Sequence, residues 1–431
     1  MPNKNIFCNT PWYELHIYWD GSLGICCSED HKIYPDDQHY NIATTSIAEW
    51  FNSNPVQEFR QKILKDTPLS ACRRCYVEEQ SGGNSRRINN NQKSVIFTRS
   101  AFKESFEQSP GKQHFDSNGL TTTHPIDLHI DLGNYCNLAC KMCNPKASST
   151  IASQQVKWGI ESSRQYLGND WTKDSKTWDS FKQQLLAIPS LNNIHFMGGE
   201  TLLTNRFEDL VDTFVEHHRY ELCFSFVTNG TVFNSRLIEK LKKFRRVGIE
   251  VSIETVDEHN AYQRQGTDTN KVLENIKQYL THCNNSSITV TLRPAVSALT
   301  IGYYVGLLKY ALDQQLVVKS NLCYDPKYLY ANILPKKVKE HYLLKYQGLL
   351  HHLESVNIAD DYNTSDPHNY QKIVKQEATM CVGVLMLPEP DNVDELLEQM
   401  VDHCRKWDQV YHLDARTLYP ELSDVWDQYG Y

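Results

Sequence analysis

The spacing of apolar residues changes character twice along this chain of 431 residues. Near the amino terminus, aromatic and branched residues at 14–19 predict a strand, and an Asp-Gly pair then predicts a hairpin turn into a second strand at 23–27. Apolar positions at helical spacing between 46 and 64, interrupted by Pro55, predict two short helices. This part of the chain is therefore predicted to fold as a compact segment.

From residue 126 onward the pattern of apolar positions changes, and segments with strand-like spacing alternate with segments with helix-like spacing. Several of the predicted strands end in a glycine-containing turn. Such alternation predicts a parallel sheet with helices outside it, and beyond residue 336 the pattern becomes mostly helical. The predicted strands lie at 126–132, 193–197, 222–227, 247–253 and 288–292, and the predicted helices at 207–217, 234–244, 271–282, 338–353 and 394–413.

Composition narrows the class of protein. With 40% hydrophobic and 22% charged residues, the chain has the balance of a soluble globular protein. A formal net charge of -8 argues against broad nucleic-acid binding, and no apolar run approaches the roughly 20 residues that a membrane span needs. The amino terminus lacks the apolar run of a signal peptide, so we expect a cytoplasmic protein whose 13 cysteines are reduced thiols or metal ligands.

Three of these cysteines, Cys136, Cys140 and Cys143, lie within eight residues, directly after the first strand of the alternating part. A disulfide would pair two of them and leave one over. A structural zinc site needs four ligands, and no fourth cysteine or histidine follows within the next several residues. An iron-sulfur cluster held by three thiolates, with one iron open to a ligand, fits the odd number best.

A second group of cysteines lies in the amino-terminal segment. Cys8 and Cys26 flank the predicted hairpin, and Cys72 and Cys75 form a Cys-x-x-Cys turn. Four thiolates in this arrangement suit either Zn²⁺ or an iron-sulfur cluster, and Cys27 is an alternative to Cys26. The remaining cysteines are isolated and are interpreted as buried thiols.

The spacing of the three-cysteine loop, and its place after the first strand, resembles the radical S-adenosylmethionine (SAM) superfamily. The family usually has an aromatic residue before the third cysteine, where this chain has Met142. The resemblance implies that Cys136, Cys140 and Cys143 hold a [4Fe-4S] cluster that also binds SAM. It further implies that one electron from the cluster cleaves SAM to methionine and a 5′-deoxyadenosyl radical, which abstracts hydrogen from a substrate.

Residues at the ends of the following strands also resemble the family's motifs. Gly198, Gly199 and Glu200 look like the glycine-glycine-glutamate motif that binds the methionyl amino group, because glycines allow close approach and a carboxylate receives an ammonium. Thr228-Asn229-Gly230 resembles the next strand-end motif, which is often near the ribose, and Arg264 resembles an arginine that pairs with the methionyl carboxylate. The predicted cofactor-binding set is Gly198, Gly199, Glu200, Thr228, Asn229, Ser252, Glu254 and Arg264.

The amino-terminal cysteines resemble the cluster-binding SPASM extension, in its shorter twitch form with one auxiliary [4Fe-4S] cluster. In the family this extension normally follows the barrel, whereas here it precedes it. The implied fold class is α/β: a partial (β/α)6 TIM-like barrel with a small N-terminal iron-sulfur domain and a helical C-terminal extension. The predicted divisions are 1–95 for the SPASM/twitch-like domain, 96–125 for a linker, 126–335 for the radical SAM core and 336–431 for the extension.

The resemblance also bears on substrate and partners. Relatives with such an auxiliary domain often modify ribosomal peptides or proteins, so a peptide is the first hypothesis and a small metabolite or nucleotide the second. A noncatalytic iron-sulfur scaffold or electron carrier is the alternative from another class, and the complete set of cofactor motifs argues against it. An electron donor such as flavodoxin or ferredoxin is the implied partner.

Histidines and aspartates within the predicted strands complete the set of candidates. His16, His129 and His195 are interpreted as core or strand-facing residues, because these are commoner than ligands. Asp127 and Asp131 share a face of the first strand of the alternating part, and are candidates to line a cavity. The sequence assigns none of them a role in proton transfer.

Overall fold

The computed structural model of the protein describes residues 6–29, 32–34, 39–80, 85–97, 124–355 and 369–431. The strands are β1 (Glu14–Ile17), β2 (Leu23–Gly24), β3 (Asp127–Asp131), β4 (Ala139–Cys140), β5 (Asn193–Met197), β6 (Cys223–Thr228), β7 (Arg246–Val251), β8 (Arg264–Gln265), β9 (Ile288–Leu292), β10 (Ala295–Val296), β11 (Val317–Val318) and β12 (Asn321–Leu322). The helices are α1 (Ile47–Phe51), α2 (Asn54–Leu64), α3 (Arg73–Gln80), α4 (Arg86–Phe97), α5 (Ser149–Lys157), α6 (Ser175–Leu186), α7 (Asn205–Glu216), α8 (Ser235–Leu241), α9 (Glu258–Gln263), α10 (Thr269–Cys283), α11 (Ile301–Asp313), α12 (Lys336–Ser355), α13 (Tyr370–Leu385), α14 (Val393–Tyr411), α15 (Ala415–Leu418) and α16 (Ser423–Gln428).

Eight strands form one mostly parallel sheet in the order β11-β9-β7-β6-β5-β3-β1-β2. From β3 to β11 the strands cross the sheet in chain order, with at least one helix between each strand and the next. This is the succession expected of a partial (β/α)6 barrel. The predicted α/β fold is confirmed.

The amino-terminal hairpin belongs to this sheet. β1 and β2 pair antiparallel, as predicted, with His16 opposite Gly24. The other edge of β1 pairs parallel with β3, with Glu14 opposite Asp127 and Ile17 opposite Ile130. The sequence did not predict this second pairing, which makes the first strand of the chain a neighbour of the first strand of the alternating part.

One face of the strands β1, β3, β5 and β6 is an apolar core. The ring of Phe196 on β5 packs edge-on against Phe207 of α7, and Phe224 on β6 contacts Phe214 of the same helix. Because strand residues alternate between faces, the residues between these positions lie on the opposite face. The apolar residues, each at most 2% exposed, are Leu15, Ile17, Leu128, Ile130, Ile194, Phe196, Phe224 and Phe226.

Residue contacts divide the chain into two units. The first unit comprises Met1–Cys136, Pro145–Phe226 and Glu239–Val247, and the second comprises Asn137–Asn144, Val227–Ile238 and Gly248–Tyr431. The division into four segments predicted from the sequence, with boundaries at residues 95, 125 and 335, differs from these two units and stays a prediction. Most of the predicted linker, 96–125, lies outside the described residues.

The predicted strands and helices are present, with ends shifted by at most three residues. The predicted helices do not include nine of the described ones, namely α3, α4, α5, α6, α9, α11, α13, α15 and α16. None of the described helices is both long enough and apolar enough to cross a bilayer.

Candidate functional site

Four cysteines of the first unit line one cavity. They are Cys8, Cys26, Cys72 and Cys75, the four that the sequence singled out, and Cys27 is not part of the described lining. The cavity encloses about 400 Å³, part of it open to solvent. Its remaining wall includes apolar residues, namely Ile25, Phe59 and Ala71, and two arginines, Arg86 and Arg87.

Burial dominates the electrostatics of this cavity. It raises the pKa of Cys8 to about 11 and the pKa of Cys72 to about 12, and the neighbouring thiol of Cys75 raises both further. A metal bound here would therefore have to displace protons, while the guanidinium groups of Arg86 and Arg87 would offset thiolate charge. Among the described residues, no three His, Cys, Asp or Glu side chains converge closely enough to hold a metal ion. The donor set of four soft thiols is chemically suited to iron or zinc.

Within the first unit, the glycine-glycine-glutamate motif lies against the residues that lead into the cysteine loop. A Cβ atom on Gly199 would lie 2.1 Å from the carbonyl oxygen of Tyr135, and Gly198 has a φ of +124°. The backbone N–H of Glu200 donates to the same Tyr135 oxygen at 2.8 Å. Because these glycines have no side chain, the backbone of the motif can lie directly against the residues that lead into the cysteine loop. The Glu200 carboxylate accepts from the backbone N–H of Leu202 at 3.0 Å and caps the turn that follows.

In the second unit, the cysteine loop pairs with the strand that carries Arg264. β4 and β8 are antiparallel, with Cys140 opposite Arg264. The Arg264 guanidinium is held by two contacts to the carboxylate of Glu254, one of them at 2.8 Å, and its Nη1 lies 3.8 Å from the Cys140 Sγ. Burial lowers the pKa of Arg264, but the charge of Glu254 and the neighbouring thiols outweigh burial and raise it. The structure therefore gives the predicted cofactor arginine a protein partner.

Other predicted residues of the second unit lie close to the same loop. The Asn229 amide donates to the side-chain oxygen of Asn137, a loop residue, at 2.8 Å. The backbone N–H of Ser252 donates to the carbonyl of Thr228 at 2.8 Å, which joins two of the predicted strand ends. The structure thus brings Asn229 and Arg264 to the loop, each through a direct side-chain contact.

Lys141, which lies between two of the loop cysteines, is not among the residues predicted from the sequence. Its side chain is fully buried and its Nζ lies 3.9 Å from the ring centre of Tyr262 and 5.4 Å from that of Trp407. The nearest acid is Asp408, with its Oδ1 4.0 Å away, and burial lowers the pKa of Lys141 to about 8. Since Trp407 and Asp408 belong to α14, the helical extension contacts the cysteine loop directly. A lysine inside a loop of apolar neighbours was the available signal.

Replacing Lys141 with methionine is expected to destabilise the protein by about 2–3 kcal/mol, because it leaves the buried Asp408 carboxylate without its nearest cation. Lys146→Met, an exposed lysine a few residues away, serves as the matched control and should change little. Urea unfolding followed by tryptophan fluorescence measures both. Equal unfolding midpoints for the two variants would show that the buried ammonium does not stabilise the loop.

Comparison with known proteins agrees with these observations. Residues 130–297 match the family model of the radical SAM superfamily, and residues 8–76 match the model of SPASM, an iron-sulfur cluster-binding domain. The chain therefore contains a radical SAM domain with a SPASM domain ahead of it, as predicted. A radical SAM domain implies a [4Fe-4S] cluster and SAM, and a SPASM domain implies auxiliary iron-sulfur clusters, so the cofactor prediction is confirmed at the level of the domains.

Individual relatives are distant. The radical SAM cyclopropyl synthase TigE of Paramaledivibacter caminithermalis is 26% identical over 160 residues, which cover 35% of this chain and 32% of TigE. The structure of anSMEcpe with bound AdoMet is 20% identical, with a TM-score of 0.39, and the match covers 54% of this chain and 62% of that one. Streptococcus suis SuiB bound to its precursor peptide SuiA is 12% identical, with a TM-score of 0.35 and coverage of 60% and 61%. The chain thus spans less than two thirds of each of these proteins.

Proposed function

We propose that this protein is a radical SAM enzyme that cleaves SAM reductively and abstracts hydrogen from a peptide. The observation that carries the proposal is the radical SAM match over 130–297, which contains the three-cysteine loop and the predicted motifs that contact it. In the proposal, Cys136, Cys140 and Cys143 hold the [4Fe-4S] cluster. Bound SAM supplies, on one-electron reduction, the 5′-deoxyadenosyl radical that removes the hydrogen atom.

The protein's own residues hold and shield this centre. Gly199 lets the strand-end backbone lie against the loop, and Asn229 fixes the loop through Asn137. The Arg264 guanidinium, oriented by Glu254, offers positive charge close to the Cys140 sulfur. Hydrogen bonds and charge near a cluster sulfur are among the factors that set its reduction potential, so Arg264 is proposed to favour the reduced cluster.

The second centre is proposed at the cavity of the first unit, with Cys8, Cys26, Cys72 and Cys75 as ligands of an auxiliary [4Fe-4S] cluster. The SPASM match over 8–76 contains all four residues and supports iron over zinc. Arg86 lines this cavity and also contacts residues of β1 and β3.

The proposed substrate class is a peptide, supported by the SPASM domain, which the resemblance connects with peptide modification. A peptide encoded close to this gene is the first substrate to test. If that peptide is labelled with deuterium, transfer of the label to 5′-deoxyadenosine would support hydrogen abstraction. Transfer from a small metabolite instead would favour the alternative substrate class.

The catalytic proposal is tested on protein whose clusters have been reconstituted under anaerobic conditions. With SAM and a strong reductant, the wild-type protein should form 5′-deoxyadenosine, and Cys140→Ala should form none. Cys283→Ala, which changes a buried cysteine at the end of α10, is the matched control and should retain the activity. If the wild-type protein with full iron content forms no 5′-deoxyadenosine, the proposed function is wrong.

Changing Cys72 and Cys75 together to alanine should remove about four of about eight irons, because each [4Fe-4S] cluster carries four. The same variant should keep the absorption and reduced-state spectrum of the cluster in the three-cysteine loop. Iron and zinc are measured by metal analysis of the purified variants, with Cys223→Ala and Cys283→Ala as controls that keep all the iron. Loss of zinc with iron unchanged would assign the cavity to a structural zinc site instead.

A further inference from the structure

A row of polar side chains crosses four neighbouring strands of the first unit at one level. His16 on β1 is the register partner of His129 on β3, which pairs with His195 on β5, which in turn pairs with Ser225 on β6. A strand face that only filled a core would carry branched apolar residues, and the opposite face of the same strands does. We call this surface the polar face, and it consists of Glu14, His16, Asp127, His129, Asp131, His195 and Ser225.

Most of the polar face is hydrogen-bonded within itself or to α4. Arg86 Nη2 donates to both carboxylate oxygens of Glu14, at 2.8 and 2.7 Å, and contacts the Nε2 of His129 at 2.8 Å. His195 Nδ1 lies 2.7 Å from the hydroxyl oxygen of Ser225. These contacts hold the middle of the face in one arrangement.

His16 and Asp131 differ from the rest of the face. The His16 Nε2 lies 3.4 Å from a carboxylate oxygen of Asp131. An ionised carboxylate only accepts, so the neutral tautomer that pairs with it carries its proton on Nε2 and its lone pair on Nδ1. His16 is 3% exposed, yet its Nδ1 has no hydrogen-bond partner among the described residues. A buried acceptor without a donor is costly, so this nitrogen is suited to a ligand that brings a hydrogen. The Asp131 side chain, 15% exposed, offers further acceptor atoms beside it.

The charges around this pair favour a cation. Glu14 is neutralised by Arg86, whereas Asp131 has no arginine or lysine partner among the described residues. Other groups close to His16 include His129, the ring of Tyr18 with its centre 4.1 Å from that of the imidazole, and Glu29, whose pKa burial raises to about 7. Burial and the charge of Glu14 also raise the pKa of Asp127 to about 7. Because Arg86 is paired with Glu14, Asp131 keeps a negative charge that no arginine or lysine among the described residues balances.

The pair also lies beside the residues that lead to the proposed centre. Asp131 is the last residue of β3, and five residues further along the chain is Cys136. Its register partner is Met197, and Gly198 of the glycine-glycine-glutamate motif follows directly. Sites in parallel α/β sheets form at these carboxyl ends of strands.

We propose that His16 and Asp131 form an acceptor site for a protonated nitrogen of the substrate peptide, an ammonium or guanidinium group near the residue that reacts. His16 Nδ1 accepts one N–H and the Asp131 carboxylate provides the countercharge. This inference rests on the proposed function, since it assigns a substrate class to the same enzyme.

The test compares two capped tripeptides, Ac-Gly-Lys-Gly-NH₂ and Ac-Gly-Nle-Gly-NH₂, in which norleucine replaces the ammonium with a methyl group. We expect the reconstituted wild-type protein to bind the lysine peptide at least about tenfold more tightly, which is the usual effect of one charged hydrogen bond. His16→Gln and Asp131→Asn should abolish this preference. His351→Gln, at an exposed histidine of α12, should preserve it.

Equal affinity of the wild-type protein for the two peptides, or a full preference in Asp131→Asn, would overturn the assignment. A measurement on the wild-type protein alone covers the case in which the variants fail to fold. Ring-¹⁵N histidine NMR of the wild-type protein, with His16 assigned by titration against the lysine peptide, should find Nδ1 unprotonated, and a proton on Nδ1 would contradict the proposal. Formation of 5′-deoxyadenosine in the same wild-type sample reports on the proposed function separately.

Discussion

Gly199→Ala is expected to destabilise the protein by about 2–3 kcal/mol and to lower the iron content associated with the cysteine loop. The new Cβ atom would lie 2.1 Å from the carbonyl oxygen of Tyr135 and 2.6 Å from the carbonyl carbon of Asn134. Both are backbone atoms, so no side chain can rotate away. Relief requires a shift of the segment that continues into Cys136, the first cysteine of the loop.

The comparison that makes this test specific is Gly383→Ala. Gly383 lies within α13, where an added Cβ meets no atom within 4 Å, and alanine should stabilise the helix by about 0.5–1 kcal/mol. Urea unfolding gives the free energy for both variants, and iron analysis after anaerobic reconstitution gives the loading. A Gly199→Ala protein with wild-type stability and full iron would mean that the loop can move at little cost.

Glu254→Gln is expected to have the larger effect on stability, about 3–5 kcal/mol, because it leaves the Arg264 guanidinium buried without a countercharge. Glu254 is fully buried, and the Arg264 side chain is 11% exposed. Glutamine keeps an oxygen for the backbone N–H of Ala295, which Glu254 accepts at 3.2 Å, so the substitution mainly removes the negative charge. The same change leaves the positive charge of Arg264 beside the Cys140 sulfur without the negative charge of Glu254 to balance it.

Two further variants decide whether the ion pair is responsible. Combining Glu254→Gln with Arg264→Met removes both charges and should be less destabilising than the single change, since a buried pair replaced as a whole costs little. Glu274→Gln breaks an exposed ion pair with Lys271 and should cost at most about 0.5 kcal/mol. Additive losses in the double variant, measured by urea unfolding, would argue against a coupled pair.

The parts of this protein that could be predicted from its sequence depend on local order. The three-cysteine spacing, the glycine turns at the strand ends and the alternation of strands and helices each occupy a few neighbouring residues. The fold class and the domain matches agree with these signals. The ligand and cofactor roles of the individual residues stay predictions, although the four amino-terminal cysteines do line one cavity.

The features that were not predicted are contacts between segments that are not neighbours in the chain. Nothing near Arg264 in the sequence indicates that its guanidinium binds Glu254, because a salt bridge between a strand and a loop residue ten positions away leaves no periodic pattern. The contact of Lys141 with Trp407 and Asp408 joins the cysteine loop to α14 in the same way. The polar alternation of β3 was visible in the sequence, but its pairing with His16 required the parallel contact between β1 and β3.

That contact also fixes an order of events during synthesis. Every cysteine that lines the first-unit cavity is translated before β3, yet β1, which lies between Cys8 and Cys26, pairs along one edge with a strand that the ribosome has still to make. Until then β1 has only β2 beside it, and a two-stranded hairpin is marginally stable by itself. Before β3 has been synthesised, the cavity lacks the strand pairing that holds β1 in place. Iron is therefore expected to bind at this cavity only after the barrel strands have left the ribosome.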